Sequence, residues 1–98
     1  MMVELSPRAR REANRYDDWW RANRAAAPGL FEHELARAIA QIATAPQSGI
    51  AVRGKGGQDY RRLTLSVTRY YVYWRLLGPQ HVQVVAVWSA VRGRGPAL

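Results

Sequence analysis

The spacing of apolar residues changes once along the chain, and this change limits the possible fold more than any other feature. In the first half, apolar residues recur at helical spacing, with Ala9, Ala13, Tyr16 and Trp20 along one stripe. From Tyr60 onward, apolar and polar residues alternate as they do in strands. A short strand, two helices and then a run of strands predict an α+β domain. In this prediction, an antiparallel two-helix hairpin packs on one face of a small antiparallel β-sheet meander.

Capping and turn residues give the limits of the helices. Residues 2–5 form a short candidate strand, and Ser6 followed by Pro7 is typical of a helix start, because Ser caps the free N–H groups and Pro lacks one. The second helix begins after Pro28 and ends before Pro46. The predicted core positions of this helix are Leu35, Ile39 and Ile42.

Four strands are predicted after the helices, at residues 50–52, 60–65, 70–77 and 81–88, with a turn at 66–69. The last of them is apolar on both faces, so we expect it to lie inside the sheet. The other face of the sheet is expected to be open or partly grooved. The predicted sheet core consists of Leu63, Leu65, Val72, Trp74 and Leu76.

Length and composition restrict the function. A chain of 98 residues predicts one domain, 1–98, with a flexible basic tail at 92–98. The chain has no cysteine, which excludes a disulfide scaffold, a thiolate metal site and a cysteine nucleophile. Its two histidines, His33 and His81, are not at metal-ligand spacing, so we expect no metal and no cofactor.

The charge of the chain predicts an anionic partner. There are 15 Lys and Arg against 7 Asp and Glu, a net charge of +8, and Lys55 is the only lysine. Arginine forks match phosphate and carboxylate groups, so nucleic acid or an acidic protein is expected. No apolar run approaches the roughly 20 residues that span a bilayer, and we expect a cytoplasmic protein.

Five motifs in order give the chain a family resemblance. They are residues 5–9 (LSPRA), 39–46 (IAQIATAP), 60–62 (YRR), 73–75 (YWR) and the valine-rich 82–87. Together they resemble the RelE/ParE toxin superfamily, and within it the ParE branch, over nearly the whole chain. The resemblance implies a toxin of a bacterial type II toxin–antitoxin module of the plasmid-stabilisation kind. It implies neutralisation by a cognate antitoxin, ParD-like or other, with an acidic C-terminal segment.

The resemblance leaves two activities open. ParE-like members inhibit DNA gyrase by binding, whereas RelE-like members cut mRNA on the ribosome. A ribonuclease must transfer protons at the 2′-hydroxyl and at the leaving oxygen. No Tyr, His, Lys or carboxylic acid follows Trp88, and Ser66 stands where the RelE-like enzymes often have an Arg. The sequence therefore favours gyrase inhibition by binding, with no catalytic residue, and keeps mRNA cleavage as the alternative.

Two groups of residues are candidates for binding. The predicted antitoxin-binding residues are Trp19, Trp20, Arg61, Arg62 and Arg75, because aromatic rings and arginines dominate protein interfaces. One of the two adjacent tryptophans must lie on the surface. Each of the three arginines could instead hold a carboxylate within the fold, such as Asp59 or Glu4. The predicted target-binding residues are Trp88, Arg92 and Arg94. The alternative for Arg92 and Arg94 is a solvated tail that contacts no target.

Overall fold

The computed structural model describes residues 1–98 and places two helices against one face of a five-stranded sheet. The helices are α1 (Pro7–Asn23) and α2 (Leu30–Thr44). The strands are β1 (Met2–Leu5), β2 (Ile50–Arg53), β3 (Asp59–Leu65), β4 (Tyr70–Gly78) and β5 (His81–Ser89). The predicted α+β class and the order of elements are confirmed, and neither helix combines the length and apolarity needed to cross a bilayer.

The sheet has the strand order β1-β5-β4-β3-β2 and is mixed rather than purely antiparallel. Strands β2 to β5 form the predicted antiparallel meander. Strand β1 pairs parallel to β5, with Val3 opposite Val82 and Leu5 opposite Val84. As predicted, β5 lies between two other strands. The side chains of β5 are apolar on both faces because both faces are buried: Val84 on the helix side and Ala86 on the other side are each 0% exposed.

The start of α1 follows the capping prediction. The Ser6 side chain accepts a hydrogen bond from the N–H of Ala9 at 3.0 Å, and Pro7 occupies the first turn. The Ser6 N–H also donates to the Val84 carbonyl at 2.9 Å, which continues the β1–β5 ladder into the cap. The buried carboxylate of Glu12 then accepts the N–H of Val87 at 2.9 Å, beyond the end of β1. These contacts attach α1 to β5.

The core lies between the helices and the sheet. Its fully buried side chains include Phe31, Ile42, Leu65, Val72, Trp74, Val82, Val84 and Val87. Leu35 is buried as predicted, while Ile39 and Leu63 pack partly buried at its edge. The prediction for Leu76 is wrong: its side chain is 45% exposed, because it lies near the end of β4 beyond the reach of the helices.

The sequence predicts that the sheet face away from the helices is open or partly grooved, and in the structure part of this face is buried. Tyr73 and Ala86 face each other there on β4 and β5, and they are only 3% and 0% exposed. Residues 94 and 95 of the tail meet this face: the Trp88 indole N–H donates to the Arg94 carbonyl at 2.8 Å, and Gly95 lies close to the Tyr73 hydroxyl. The tail is therefore in contact with the domain, and its flexibility stays a prediction.

Candidate functional site: an aromatic–arginine groove

A groove of about 660 Å³ lies between α1, the β3–β4 turn and the end of β5. We call it the aromatic–arginine groove. Its apolar wall comes from aromatic and valine side chains, and its rim carries arginines and no carboxylate. The lining residues are Arg15, Tyr16, Trp19, Trp20, Arg24, Val67, Thr68, Arg69, Tyr70, Ser89, Val91 and Arg92.

The two adjacent tryptophans have different environments within this groove. Trp19 is 44% exposed, which agrees with the expectation that one of the pair lies on the surface. Trp20 is half-buried against the core, and its indole N–H donates to the Tyr70 hydroxyl at 3.1 Å. The two rings meet edge to face, with 5.9 Å between their centroids. Trp20 thus supports the Trp19 ring, which remains exposed.

The arginines of the groove have no acidic partner in the fold. The ion pairs of the protein involve Arg8, Arg21, Arg53 and His81, and none involves the four arginines of the groove. Arg24 lies instead over the rings of Trp19 and Trp20, 4.9 and 5.5 Å from their centroids. Charged groups that the fold leaves unpaired remain available to an anion.

Arg69 reaches the groove from a turn with unusual geometry. Its φ is 69°, in the left-handed region that costs a non-glycine residue about 1 kcal/mol or more. Its carbonyl accepts the N–H of Ala90 at 2.9 Å, which ties the turn to the end of β5. A glycine at this position would adopt the same φ without strain. Arg69 instead places a guanidinium at the groove, and the strained backbone lowers the stability of the fold.

Glu34 of α2 holds the same turn. Its carboxylate accepts the N–H groups of Val67 and Thr68, both at 2.9 Å, and the Thr68 hydroxyl at 2.5 Å. Burial acts to raise the pKa of the Glu34 carboxyl, but these hydrogen bonds, with Arg37 nearby, outweigh burial and lower the pKa below its usual value. Glu34 is therefore ionised at neutral pH and positions the turn.

Two tyrosines form the inner wall of the groove. The rings of Tyr16 and Tyr70 lie 4.5 Å apart between centroids, and both pack against Phe31. Burial raises the pKa of Tyr70, although the hydrogen bond from Trp20 acts in the opposite direction. The Tyr16 hydroxyl is buried and has no hydrogen-bond partner in the protein. The packing behind the groove wall thus contains a polar atom that the fold does not satisfy.

Arg61 is a structural anchor and lies away from the groove. Its guanidinium donates to the carbonyls of Ser48 and Gly49, at 2.8 and 3.4 Å. Gly49 has a φ of +78°, and a Cβ there would lie 2.3 Å from the Arg62 carbonyl, so only glycine fits this close approach. Arg61 therefore helps to close the connection from α2 to β2.

Arg62 and Arg75 project from the opposite face of the sheet. Arg62 lies over the Tyr71 ring, 4.2 Å from its centroid, and Arg75 donates to the side-chain oxygen of Gln83 at 3.2 Å. The suggestion that these arginines or Arg61 hold Asp59 or Glu4 is wrong, because those carboxylates pair with Arg53 and His81. The predicted antitoxin residues are thus divided: the tryptophans share one groove, and the three arginines lie elsewhere.

The predicted target-binding residues form one cluster at the end of β5. Arg92 lies over the Trp88 ring, 4.4 Å from its centroid, and Trp88 bonds to the Arg94 carbonyl. Arg92 also lines the aromatic–arginine groove. The structure therefore joins one residue predicted to meet the target with two predicted to meet the antitoxin.

Sequence reasoning missed three arginines of the groove, Arg15, Arg24 and Arg69. A local signal existed for Arg24, the residue that caps the end of α1, because it follows Trp20 by four residues and so lies on the same side of the helix end. No local signal places Arg69 there, because its position depends on the packing of the β3–β4 turn against α1. No cluster of His, Asp and Glu in the structure could hold a metal ion.

These features define a small α+β domain whose arginine-rich surface suits an anionic partner. The chain belongs to the ParE toxin family: the family model described as the ParE toxin of the type II toxin–antitoxin system, parDE, matches residues 3–93. The predicted ParE-like family is thereby confirmed over the RelE-like alternative. No curated protein matches the chain in sequence.

The fold has a counterpart among solved structures. A chain from the chromosomal ParDE toxin–antitoxin system of P. aeruginosa superposes with a TM-score of 0.69 and 15% sequence identity. The match covers 91% of this chain and 95% of the other. At this identity, the likeness supports the fold and leaves the roles of individual residues to the chain itself.

Proposed function

We propose that this protein is a cytoplasmic toxin that inhibits DNA gyrase by binding and is neutralised by a cognate antitoxin. Membership of the ParE toxin family supports the proposal. The observation that carries it is the aromatic–arginine groove, where four unpaired arginines surround an exposed tryptophan and no carboxylate is present. Such a surface suits a partner that combines apolar and acidic groups.

The antitoxin, ParD-like or other, docks through an acidic C-terminal segment. An apolar side chain of that segment packs on Trp19, while its carboxylates meet the arginines of the groove. Arg62 and Arg75, on the other face, receive a continuation of the same segment around the sheet edge. Wrapping of this kind neutralises part of the net charge of +8, which favours rapid association.

Single substitutions test the antitoxin contact. Trp19→Ala is expected to weaken the complex by more than about 1 kcal/mol, because exposed aromatic residues act as anchors at interfaces. Trp20→Phe keeps most of the packing and reports on the indole N–H. Isothermal titration with purified antitoxin gives both affinities, and Leu77→Ala, with a similar exposure of 45%, is the matched control. Unchanged affinity for both tryptophan variants contradicts the proposal.

Binding rather than cleavage is the proposed action on the target. Arg61, which lies within the family motif at residues 60–62, is engaged with backbone carbonyls. The segment after Trp88 offers no group that could donate a proton to a leaving oxygen. Trp88, Arg92 and Arg94 are proposed to contact acidic groups of gyrase or of its bound DNA.

A supercoiling assay with purified toxin and gyrase tests this action. Inhibition with accumulation of linear DNA supports poisoning of the cleaved state. The double variant Arg92→Ala/Arg94→Ala is expected to lose inhibition, while Arg10→Ala/Lys55→Ala removes the same charge elsewhere and keeps it. No effect on gyrase, together with cleavage of mRNA on translating ribosomes, would establish the RelE-like alternative instead.

A further inference from the structure

The electrostatics of the aromatic–arginine groove suit a polyanion. Arg15, Arg24, Arg69 and Arg92 come from three separate segments of the chain and converge on one groove without a carboxylate. Like charges brought together repel one another, so the arrangement is costly unless an anion enters between them. Three of the four lie over aromatic rings: Arg15 is 5.3 Å from the Tyr16 centroid, Arg24 is 4.9 Å from that of Trp19, and Arg92 is 4.4 Å from that of Trp88.

The wall of the groove suits a planar group. The Trp19 ring is 44% exposed, and the planar Arg24 guanidinium lies over it, 4.9 Å from its centroid. A nucleobase offers a larger planar surface for the same ring. A base that displaces the Arg24 guanidinium from the Trp19 ring leaves this guanidinium free to pair with a neighbouring phosphate. Stacking of the base and pairing of the charges are therefore compatible.

A nucleic-acid strand supplies groups for both parts of the groove. Its planar bases match the Trp19 ring, which is 44% exposed, and its phosphates match arginines that have no acidic partner in the fold.

We propose that the aromatic–arginine groove binds single-stranded nucleic acid, with a base stacked on Trp19 and the adjoining phosphates held by the four arginines. Bases in a duplex are stacked on each other and do not present a free face, so a single strand is preferred. This site goes beyond the proposed gyrase inhibition and does not require it. Under the proposed function, the acidic antitoxin segment competes for the same arginines.

Fluorescence anisotropy of a labelled oligothymidylate of about 12 nucleotides tests the proposal with the purified full-length chain. Trp19→Ala is expected to weaken binding by roughly 5- to 100-fold, the usual range for one stacked base. Leu77→Ala removes a similarly exposed apolar side chain at the far end of β4 and is expected to change nothing. Circular dichroism of each variant confirms that it is folded.

Charge-matched variants separate the groove from the general basicity of the protein. Arg15→Gln/Arg24→Gln and Arg10→Gln/Lys55→Gln each remove two positive charges from exposed positions. The first pair is expected to weaken binding about 10-fold more than the second, because only its arginines reach the bound phosphates. An oligouridylate of equal length shows whether RNA or DNA is preferred.

Three outcomes would overturn the proposal. An abasic strand that binds as tightly as the intact oligonucleotide would show that charge alone acts. Equal losses for the two double variants would place binding outside the groove. If an acidic, leucine-containing peptide binds in a Trp19-dependent manner and the oligonucleotide does not, the occupant is a protein segment. Each result is independent of gyrase, so failure here and failure of gyrase inhibition are distinguishable.

Discussion

At the scale of single residues, the two adjacent tryptophans of α1 have separate tasks. Trp20 packs against the core and donates its indole N–H to Tyr70, whereas Trp19 extends into solvent beside Arg24. Adjacent positions on a helix point about 100° apart, so one side chain can support the fold while its neighbour meets a partner. The sequence predicted this division without stating which residue had which task.

We expect Trp20→Ala to lower the free energy of unfolding by about 2–4 kcal/mol, because it removes packing at the core edge and leaves the Tyr70 hydroxyl without its donor. Trp19→Ala is expected to cost less than about 1 kcal/mol. Urea unfolding followed by circular dichroism measures both. Equal losses would mean that the two side chains contribute alike to the fold.

At the scale of elements, the β3–β4 turn connects the helices to the groove. Glu34 of α2 accepts hydrogen bonds from this turn, and the same turn places Arg69 at the groove. The pKa of Glu34 is lowered in the folded protein, so its ionised form favours folding. This contribution is present above the unfolded-state pKa of about 4.3 and is lost as the pH falls through the folded-state pKa.

We expect Glu34→Gln to destabilise the protein by about 1–2 kcal/mol at neutral pH, because the amide cannot accept all three hydrogen bonds equally well. The difference from the unsubstituted protein should shrink as the pH falls through the lowered folded-state pKa of Glu34, because the carboxyl is then protonated. Thermal unfolding across this pH range measures it. The control is Glu32→Gln, whose largely exposed ion pair with Arg21 contributes little. A pH-independent difference would contradict this role.

At the scale of the whole molecule, positive charge is spread over both faces of the sheet. The groove on the helix side carries four arginines, and Arg62 and Arg75 lie on the other face. An anionic chain could therefore contact the protein on two sides. The tail contacts Tyr73 through Gly95 and Trp88 through the Arg94 carbonyl, so it belongs to the packing of the sheet as well as to the basic surface.

We expect removal of residues 94–98 to lower the free energy of unfolding by about 1–2 kcal/mol, because it exposes Tyr73 and removes the acceptor of the Trp88 indole. Arg94→Ala is the matched control, since the bond uses the Arg94 carbonyl and survives the substitution. Thermal unfolding compares the two, and hydrogen exchange of the indole N–H reports the bond directly. A truncated protein of unchanged stability would support the flexible tail that the sequence predicted.

The sequence alone determined the elements and most of the core. Spacing, the Ser6–Pro7 cap and the glycine and proline turns gave both helices and the four later strands nearly to the residue, because each signal acts over one or two turns of chain. The five motifs gave the family. Leu76 was misplaced, since alternation identifies the face of a strand but does not reveal where the opposing helices end.

Only the tertiary structure decided which distant side chains meet. The parallel pairing of β1 with β5 and the anchoring of Arg61 to Ser48 and Gly49 depend on contacts between segments far apart in sequence. The aromatic–arginine groove likewise combines α1, the β3–β4 turn and the end of β5. Local patterns report the face that a residue occupies on its own element. The neighbours of that face are determined by how the elements pack.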